Sequence, residues 1–315
     1  MTSLERPIDG LPPIGPAVIT LGVFDGVHRG HQQIASQTAV EARKREATSV
    51  AIAFDPPPAE VMQRGMHVPR LSRPSQTVRL LHEAGIERPI LVRFDHDLRQ
   101  RSPEEFLEAL AASVELRAIV MTPGSTFGRD RSGTLDRLRE LGHARGFDAI
   151  AVDPLLDAGR PISSTRVREA LGAGNVEDAI RLLGRAPSLV GAVVHGDRRD
   201  RELGFPTANL AFDYHPALPA LGIYRGEASV PLRDVGPGHP ALVSVGVRPT
   251  FHDDGRVLVE VYLLDWDGDL YDAELEVSLL DRLREERRFD RVDALVDQMQ
   301  ADESEARRRF AEPDR

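Results

Sequence analysis

The sequence predicts two domains of different class, α/β and then mainly β: an open, doubly wound sheet followed by an antiparallel barrel or sandwich with a terminal helix. Three observations carry this expectation. The first half alternates short Val- and Ile-rich runs, apolar on both faces, with amphipathic stretches, as parallel strands covered by helices do. From about Pro187 the rhythm changes to short strand-like segments divided by turn-forming clusters. At 315 residues the chain also exceeds the length at which single cores stop growing, roughly 250–300 residues.

The first-half strands are expected at Ala17–Phe24, Ser49–Phe54, Pro89–Phe94, Ala118–Thr122 and Ala149–Asp153. Between them, Pro103–Ser113 reads as a helix, because Pro103 suits a first turn and Phe106, Leu107 and Leu110 form an apolar stripe. Such a β-α-β rhythm implies right-handed crossovers. Helices are expected over Ser164–Ala173 and Val176–Leu183, and the domain boundary near Ala186, giving domains 1–186 and 187–315. The later strands are expected at Leu189–His195, Ala208–Phe212, Gly222–Val230, Ala241–Gly246, Leu258–Leu264 and Leu275–Leu279. Pro231–Pro240 and His252–Gly255 read as turns between them. A last helix fits Val292–Phe310, with Val292, Leu295, Val296 and Met299 at helical spacing.

Composition narrows the function classes. The 40 basic and 50 acidic residues leave a net charge of −10, which argues against broad nucleic-acid binding. No apolar run approaches the roughly 20 residues of a membrane span, and the N-terminus lacks a basic-then-apolar signal. The expectation is a cytoplasmic protein with no membrane partner; nothing in the sequence speaks to oligomeric state. Cysteine is absent, which excludes disulfides, thiolate metal sites and a cysteine nucleophile. Lys44 is the one lysine. It falls in a helical stretch rather than in a Gly-x4-Gly-Lys loop, which excludes a Walker-type phosphate site.

The sharpest local signal is GVFDGVHRGHQ, Gly22 to Gln32. A buried strand ends near Phe24, a glycine-containing turn follows, and a helix starts near His31. Backbone N–H groups and the positive end of a helix dipole then lie at the carboxyl edge of the sheet, where open α/β folds bind ligands. His28 and His31 flank Arg29-Gly30, and Gly30 would let a phosphate approach the backbone. The imidazoles could donate to charge developing on a phosphoryl group, or be surface histidines in a turn. A second signal, ISSTRVR (Ile162 to Arg168), follows the fifth strand-like run. Ser163 or Ser164 could cap the next helix, with Arg166 and Arg168 as phosphate clamps.

In the second half, Pro206-Thr207-Ala208-Asn209 opens a strand after an arginine-rich loop. Thr207 and Asn209, two residues apart on an extended chain, point the same way. They could share one magnesium ion or phosphate, or face solvent. In Leu258–Leu264, Val259, Val261 and Leu263 share one face, and Leu258, Glu260, Tyr262 and Leu264 the other. Glu260 is therefore either a surface residue of a half-exposed sheet or a placed base. Leu283-Arg284-Glu285-Glu286 reads as a charged helix start.

With FDPPPAEVM, RSPEEFL and TFGRDRSGT, the first-half motifs resemble the adenylyltransferase module of bacterial bifunctional riboflavin kinase/FMN adenylyltransferases, a Rossmann-like nucleotidyltransferase domain. The segments HGDRRDRELGFPTANL, GIYRGE, VGVRPTF, VEVYLLDWDGDLYD and LREERRF resemble, in order, that family's riboflavin kinase domain, a small antiparallel β-barrel with a terminal helix. The resemblance implies that His28 and His31 bind ATP phosphates and stabilise the transition state of adenylyl transfer. It likewise implies nucleotide binding by Gly22, Phe24, Gly30, Ser163, Ser164, Thr165 and Arg168, and by Gly196, Pro206, Thr207 and Asn209. Thr207 and Asn209 would hold Mg2+ with ATP as co-substrate, and Glu260 would be the kinase base. Riboflavin, FMN and ATP are the implied partners. Three activities are compatible with these residues: a bifunctional enzyme, a kinase with a degenerate first domain, or a flavin- or nucleotide-binding regulator. Pro57 stands where the family has histidine, Pro123-Gly124-Ser125-Thr126 where it has an Asn or Asp and an aromatic, and Asp200 where it has glycine.

Overall fold

The computed structural model describes residues 6–63, 65–195, 205–233, 235–247 and 257–312. The chain forms two compact units, passing from one to the other between Ser164 and Thr165.

In the first unit, β1 (Gly15–Gly22), β2 (Thr48–Asp55), β3 (Arg88–Arg93), β4 (Val114–Met121) and β5 (Asp148–Ala151) form one sheet. Its order is β3-β2-β1-β4-β5, and every neighbouring pair is parallel. The central strands β1 and β2 and the second half of β4 are buried on both faces, which explains their continuous apolar runs, whereas β3 and β5 at the sheet edges are partly exposed. Ile19, Ile52 and Ile119 pack with Phe106, Leu107 and Leu110 of α5 (Pro103–Ala111) and Leu138 and Leu141 of α6 (Leu135–Arg145). The opposite face meets α1 (Arg29–Lys44) and α3 (Pro74–Glu83), with Ala51, Ala53 and Leu91 against Ala35, Leu80 and Leu81. Helix α5 starts as expected: Pro103 occupies the first turn, and Ser102 and Glu105 exchange side chain–backbone hydrogen bonds of 3.2 and 2.6 Å. Two short helices, α2 (Pro58–Met62) and α4 (His96–Gln100), and a small hairpin of β6 (Leu156–Asp157) and β7 (Arg160–Pro161) complete the unit.

The second unit carries α7 (Ser164–Gly172) from Thr165 onward, α8 (Val176–Leu183), and a barrel. Its strands are β8 (Ser188–Val194), β9 (Ala208–Ala211), β10 (Gly222–Val230), β11 (Val235–Val247), β12 (Val257–Leu263) and β13 (Glu274–Glu285). They close in the order β10-β11-β12-β9-β8-β13, all antiparallel. Closure removes the exposed edges that an open sheet would leave. Alternate residues line the interior, among them Val193, Leu210, Val243, Val259, Val261, Leu275 and Val277. Each such side chain contributes roughly 1.5–3 kcal/mol on full burial. Outside, α9 (Val292–Ala311) is clasped by ion pairs. Asp302 accepts from Arg284 (2.7 Å), and Asp281 accepts from both Arg225 (2.6 Å) and Arg309 (2.6 Å).

Four particulars differ from the sequence-based expectations. β1 stops at Gly22 rather than Phe24, because Phe24 turns into left-handed backbone at φ 54°. The compact units divide at Ser164/Thr165 rather than near Ala186, because the α7–α8 segment packs on the barrel. There the Ala220 N–H donates to the Leu171 carbonyl (2.9 Å), and Val176 joins the barrel core. β11 starts at Val235, inside the expected Pro231–Pro240 turn, and a register shift against Ala228–Val230 absorbs the Gly- and Pro-rich stretch. β13 continues through Leu283, Arg284 and Glu285, where a helix start was expected; pairing with Gly222–Tyr224 and the ion pairs to α9 hold its charged end in the sheet.

Candidate functional site

Open α/β sheets bind ligands outside the carboxyl ends of their strands, at the point where strand order reverses. Here that point lies between β1 and β4, and the Gly22–His31 segment leaves β1 beside it. Three residues of the turn adopt positive φ: Phe24 (54°), Gly26 (75°) and Val27 (37°). For a β-branched residue such as Val27 this is an unusual conformation. The turn ends at His28, the N-cap of α1, whose Nδ1 accepts from the His31 N–H (3.3 Å). That acceptance leaves Nε2 as the nitrogen able to carry a proton in the neutral ring.

The two imidazoles stack at 3.7 Å between centroids with planes 15° apart. His31 Nδ1 is buried with no hydrogen-bond partner among the described residues. Burial first, and repulsion from His28 second, push the His31 imidazolium well below its ordinary 6.5. A phosphate placed here would bring the charge that stabilises a proton on His31.

The other expected residues of this site stand in different environments. Gly30 has a steric reason in the protein itself, since a Cβ there would lie 3.3 Å from the His28 ring and 3.6 Å from the Ile162 carbonyl. Ser164 donates its hydroxyl to the Asp25 carbonyl (2.9 Å), so it braces the loop from below α7. Phe24 is 2% exposed and packs with Val27 and Ala35, its ring edge-on to His31; it supports the site from the core. Gly22 closes β1 against the Phe24 ring, and Ser163 precedes α7. Thr165 (exposed) and Arg168 (half-buried) lie on the first turns of α7, in the second unit. Pro57 is buried at the start of α2. After β4, Pro123-Gly124 forms a tight turn with Gly124 at φ 86° and Ser125 N–H donating to the Thr122 carbonyl (3.0 Å), which accounts for that dipeptide.

In the barrel, β9 pairs with β12 so that Asn209 stands opposite Glu260 and Ala208 opposite Val261. Ala208, Leu210, Val259, Val261 and Leu263 face the core, so Asn209 and Glu260 share the half-buried outer face. Directly opposed side chains sit about 5 Å apart at Cβ. Thr207 immediately precedes β9, two residues before Asn209, and Phe205 packs edge-on to Tyr262 at 5.4 Å. Burial raises the Tyr262 hydroxyl above its ordinary value. A hydroxyl, a carboxamide and a carboxylate form an all-oxygen donor set that fits magnesium. Pro206 is exposed just before them. Gly196, Asp200 and the Arg248–Thr250 and His252–Gly255 stretches lie outside the described residues.

Sequence reasoning missed three participants. Ser244 stands opposite Glu260 on β11, extending the row to Ser244, Glu260 and Asn209. Asp25 and Ser72 anchor the histidine loop: Leu71 and Ser72 N–H groups donate to the Asp25 carboxylate (2.9 and 3.2 Å). No local pattern announces a contact between residues 46 and 47 positions apart.

Two family models match the chain, FAD synthetase over residues 13–166 and riboflavin kinase over residues 183–310. The bifunctional riboflavin kinase/FMN adenylyltransferase of Pseudomonas fluorescens is 36% identical, covering 92% of this chain and 92% of that protein. The protein of that name from Escherichia coli K12 is 34% identical, covering 93% and 92%. A solved structure titled as a macrolide-efflux protein, from Streptococcus pneumoniae, superposes with a TM-score of 0.84 and 32% identity, covering 96% of this chain and 97% of that one. No helix among the described residues is long and apolar enough to cross a membrane. With both family models matched in order and these relatives aligned along nearly their whole length, the chain belongs to the bifunctional riboflavin kinase/FMN adenylyltransferase family.

Proposed function

We propose that this chain phosphorylates riboflavin to FMN in its barrel unit and adenylylates FMN to FAD in its α/β unit, with ATP as co-substrate of both. The observation that carries the barrel assignment is the register that sets Glu260 opposite Asn209, with Thr207 two residues earlier in the chain. Glu260 accepts the proton of the terminal ribityl hydroxyl as that oxygen attacks the γ-phosphorus of ATP, and ADP leaves. Thr207 and Asn209 orient the triphosphate. Magnesium, bound with ATP, supplies neutralisation of phosphate charge.

In the first unit, a phosphate oxygen of FMN attacks the α-phosphorus of ATP and pyrophosphate leaves, with no covalent enzyme intermediate. His28 and His31 donate to the phosphate oxygens as charge shifts onto them, and Ser163 and Ser164 at the end of this unit lie on the chain that braces their loop. Lys44 is at the far end of α1, paired with Glu41 at 2.7 Å. Phosphate charge is thus met by histidines, arginines and N–H groups. The reading includes a cytoplasmic location and no nucleic-acid partner, in keeping with the acidic balance of the chain.

The test is incubation of purified protein with riboflavin, ATP and magnesium, with flavins resolved by chromatography. FMN and FAD are expected. FMN alone, even when FMN is supplied as substrate, would restrict the chain to a kinase. No product at all would leave a binding protein.

A further inference from the structure

The turn that presents His28 is held by a chain of hydroxyls from a distant part of the first unit. Its positive φ values at Phe24, Gly26 and Val27 persist only where surrounding structure over-determines them. Four groups do so. The Asp25 carboxylate accepts from Leu71 N–H (2.9 Å) and Ser72 N–H (3.2 Å). Ser164 donates to the Asp25 carbonyl (2.9 Å). Ser72 Oγ accepts from Gly26 N–H (2.9 Å) and lies 2.8 Å from Thr77 Oγ1. Thr77 in turn contacts the Arg73 carbonyl (3.4 Å).

The direction of this chain follows from its two ends. The Arg73 carbonyl can only accept, so Thr77 places its one proton there and accepts from Ser72, whose oxygen also accepts from Gly26 N–H. Asp25, Ser72 and Thr77 are all buried, at 6, 3 and 5% exposure, where a hydrogen bond is strong and an orphaned N–H expensive.

We infer that Ser72, at the threshold of α3, is a positioning residue for adenylyl transfer: it fixes Gly26 and through it the imidazole of His28, without touching substrate. This rests on the reading of His28 and His31 as the adenylyl-transfer site. Because those groups are proposed to act mainly on charge developing in the transition state, loosening them should lower kcat more than it raises KM.

The experiment measures FAD formation from supplied FMN and ATP, FMN formation from riboflavin, and thermal melting, for Ser72→Ala, Ser72→Thr and Thr77→Val. Ser72→Ala is expected to lower kcat for FAD formation about tenfold or more, since an orphaned N–H is worth one factor of ten or greater. KM for ATP should stay within about threefold, and FMN formation should be unchanged. Thr77→Val, which spares the Ser72 acceptor, should fall between parent and Ser72→Ala, and Ser72→Thr should recover most of the rate. The inference is overturned if Ser72→Ala keeps kcat within twofold, if its loss only tracks the unfolded fraction, or if Ser72→Thr is as slow as Ser72→Ala. His31→Ala separates the two levels. If it leaves FAD formation intact, the site reading itself fails; if it abolishes FAD formation while Ser72→Ala does not, only the role of Ser72 fails.

Discussion

Truncating Asp302 to alanine tests how α9 is held on the barrel. Asp302 is 6% exposed and accepts from Arg284 Nε (2.8 Å) and Nη2 (2.7 Å), and from Gln298 Nε2 (2.9 Å). The Arg284 side chain is only 13% exposed. Its loss of a partner therefore resembles the breaking of a buried pair, about 3–5 kcal/mol, rather than of a surface pair, about 0–1. Arg284 keeps its bond to the Glu285 carbonyl (2.9 Å), which favours the lower end, about 3 kcal/mol. For a unit of this size each kcal/mol moves Tm by about 2–4 °C, so differential calorimetry should show the barrel transition about 6–12 °C lower. Replacing both partners, Arg284→Met with Asp302→Leu, should restore most of that stability, because the deficit comes from the charge left behind. A shift under about 2 °C for Asp302→Ala, or a double variant worse than the single, would refute the reasoning. The consequence for activity is local. Tyr262, two residues from Glu260, feels the charges of Glu303 and Arg307 on α9, so FMN formation should lose its heat tolerance while FAD formation from FMN does not.

The remaining predictions concern the two sites. Glu260→Gln should abolish FMN formation and leave FAD formation from supplied FMN; a near-normal kinase rate would remove Glu260 as the base. Asn209→Ala should raise the magnesium and ATP concentrations needed for FMN formation about tenfold, read from steady-state titrations. His31 supplies a pH signature. Its folded-state pKa is depressed below 6.5, so as pH falls below that value the unfolded chain binds a proton that the folded one refuses. Stability should therefore decline by up to about 1.4 kcal/mol per pH unit below 6.5, and His31→Gln should flatten that slope in urea melts at successive pH values.

How far the sequence reached is clearest at particular residues. The central first-half strands β1, β2 and the second half of β4 were legible because burial on both faces writes a continuous apolar run into the sequence, and the edge strands β3 and β5 carry shorter runs and are partly exposed. Val259, Val261 and Leu263 were legible as one buried face because the strand period is two. Within the site, Thr207 with Asn209 and His28 with His31 stand close enough in sequence for their spacing to be read directly. The register that puts Asn209 opposite Glu260 joins strands about 50 residues apart, and no local pattern specifies it.

Local rules failed where distant partners outweighed them. The charged stretch Leu283–Glu285 extends a strand because Asp302 and Gly222 lie beside it, not because of its own propensity. Pro231–Pro240 is partly strand for a similar reason, its irregularity taken up by β10. The sequence by itself determined the two fold classes, the chain order of the strands in each and the chemical types available for phosphate chemistry, among them the exclusion of a lysine loop. Only the tertiary structure decided that Asn209 stands opposite Glu260, that Asp25 and Ser72 lock the turn between them, and that α7 and α8 pack with the barrel. The physical reason is that hydrogen bonds and burial act through space, and residues tens of positions apart leave no periodicity to read.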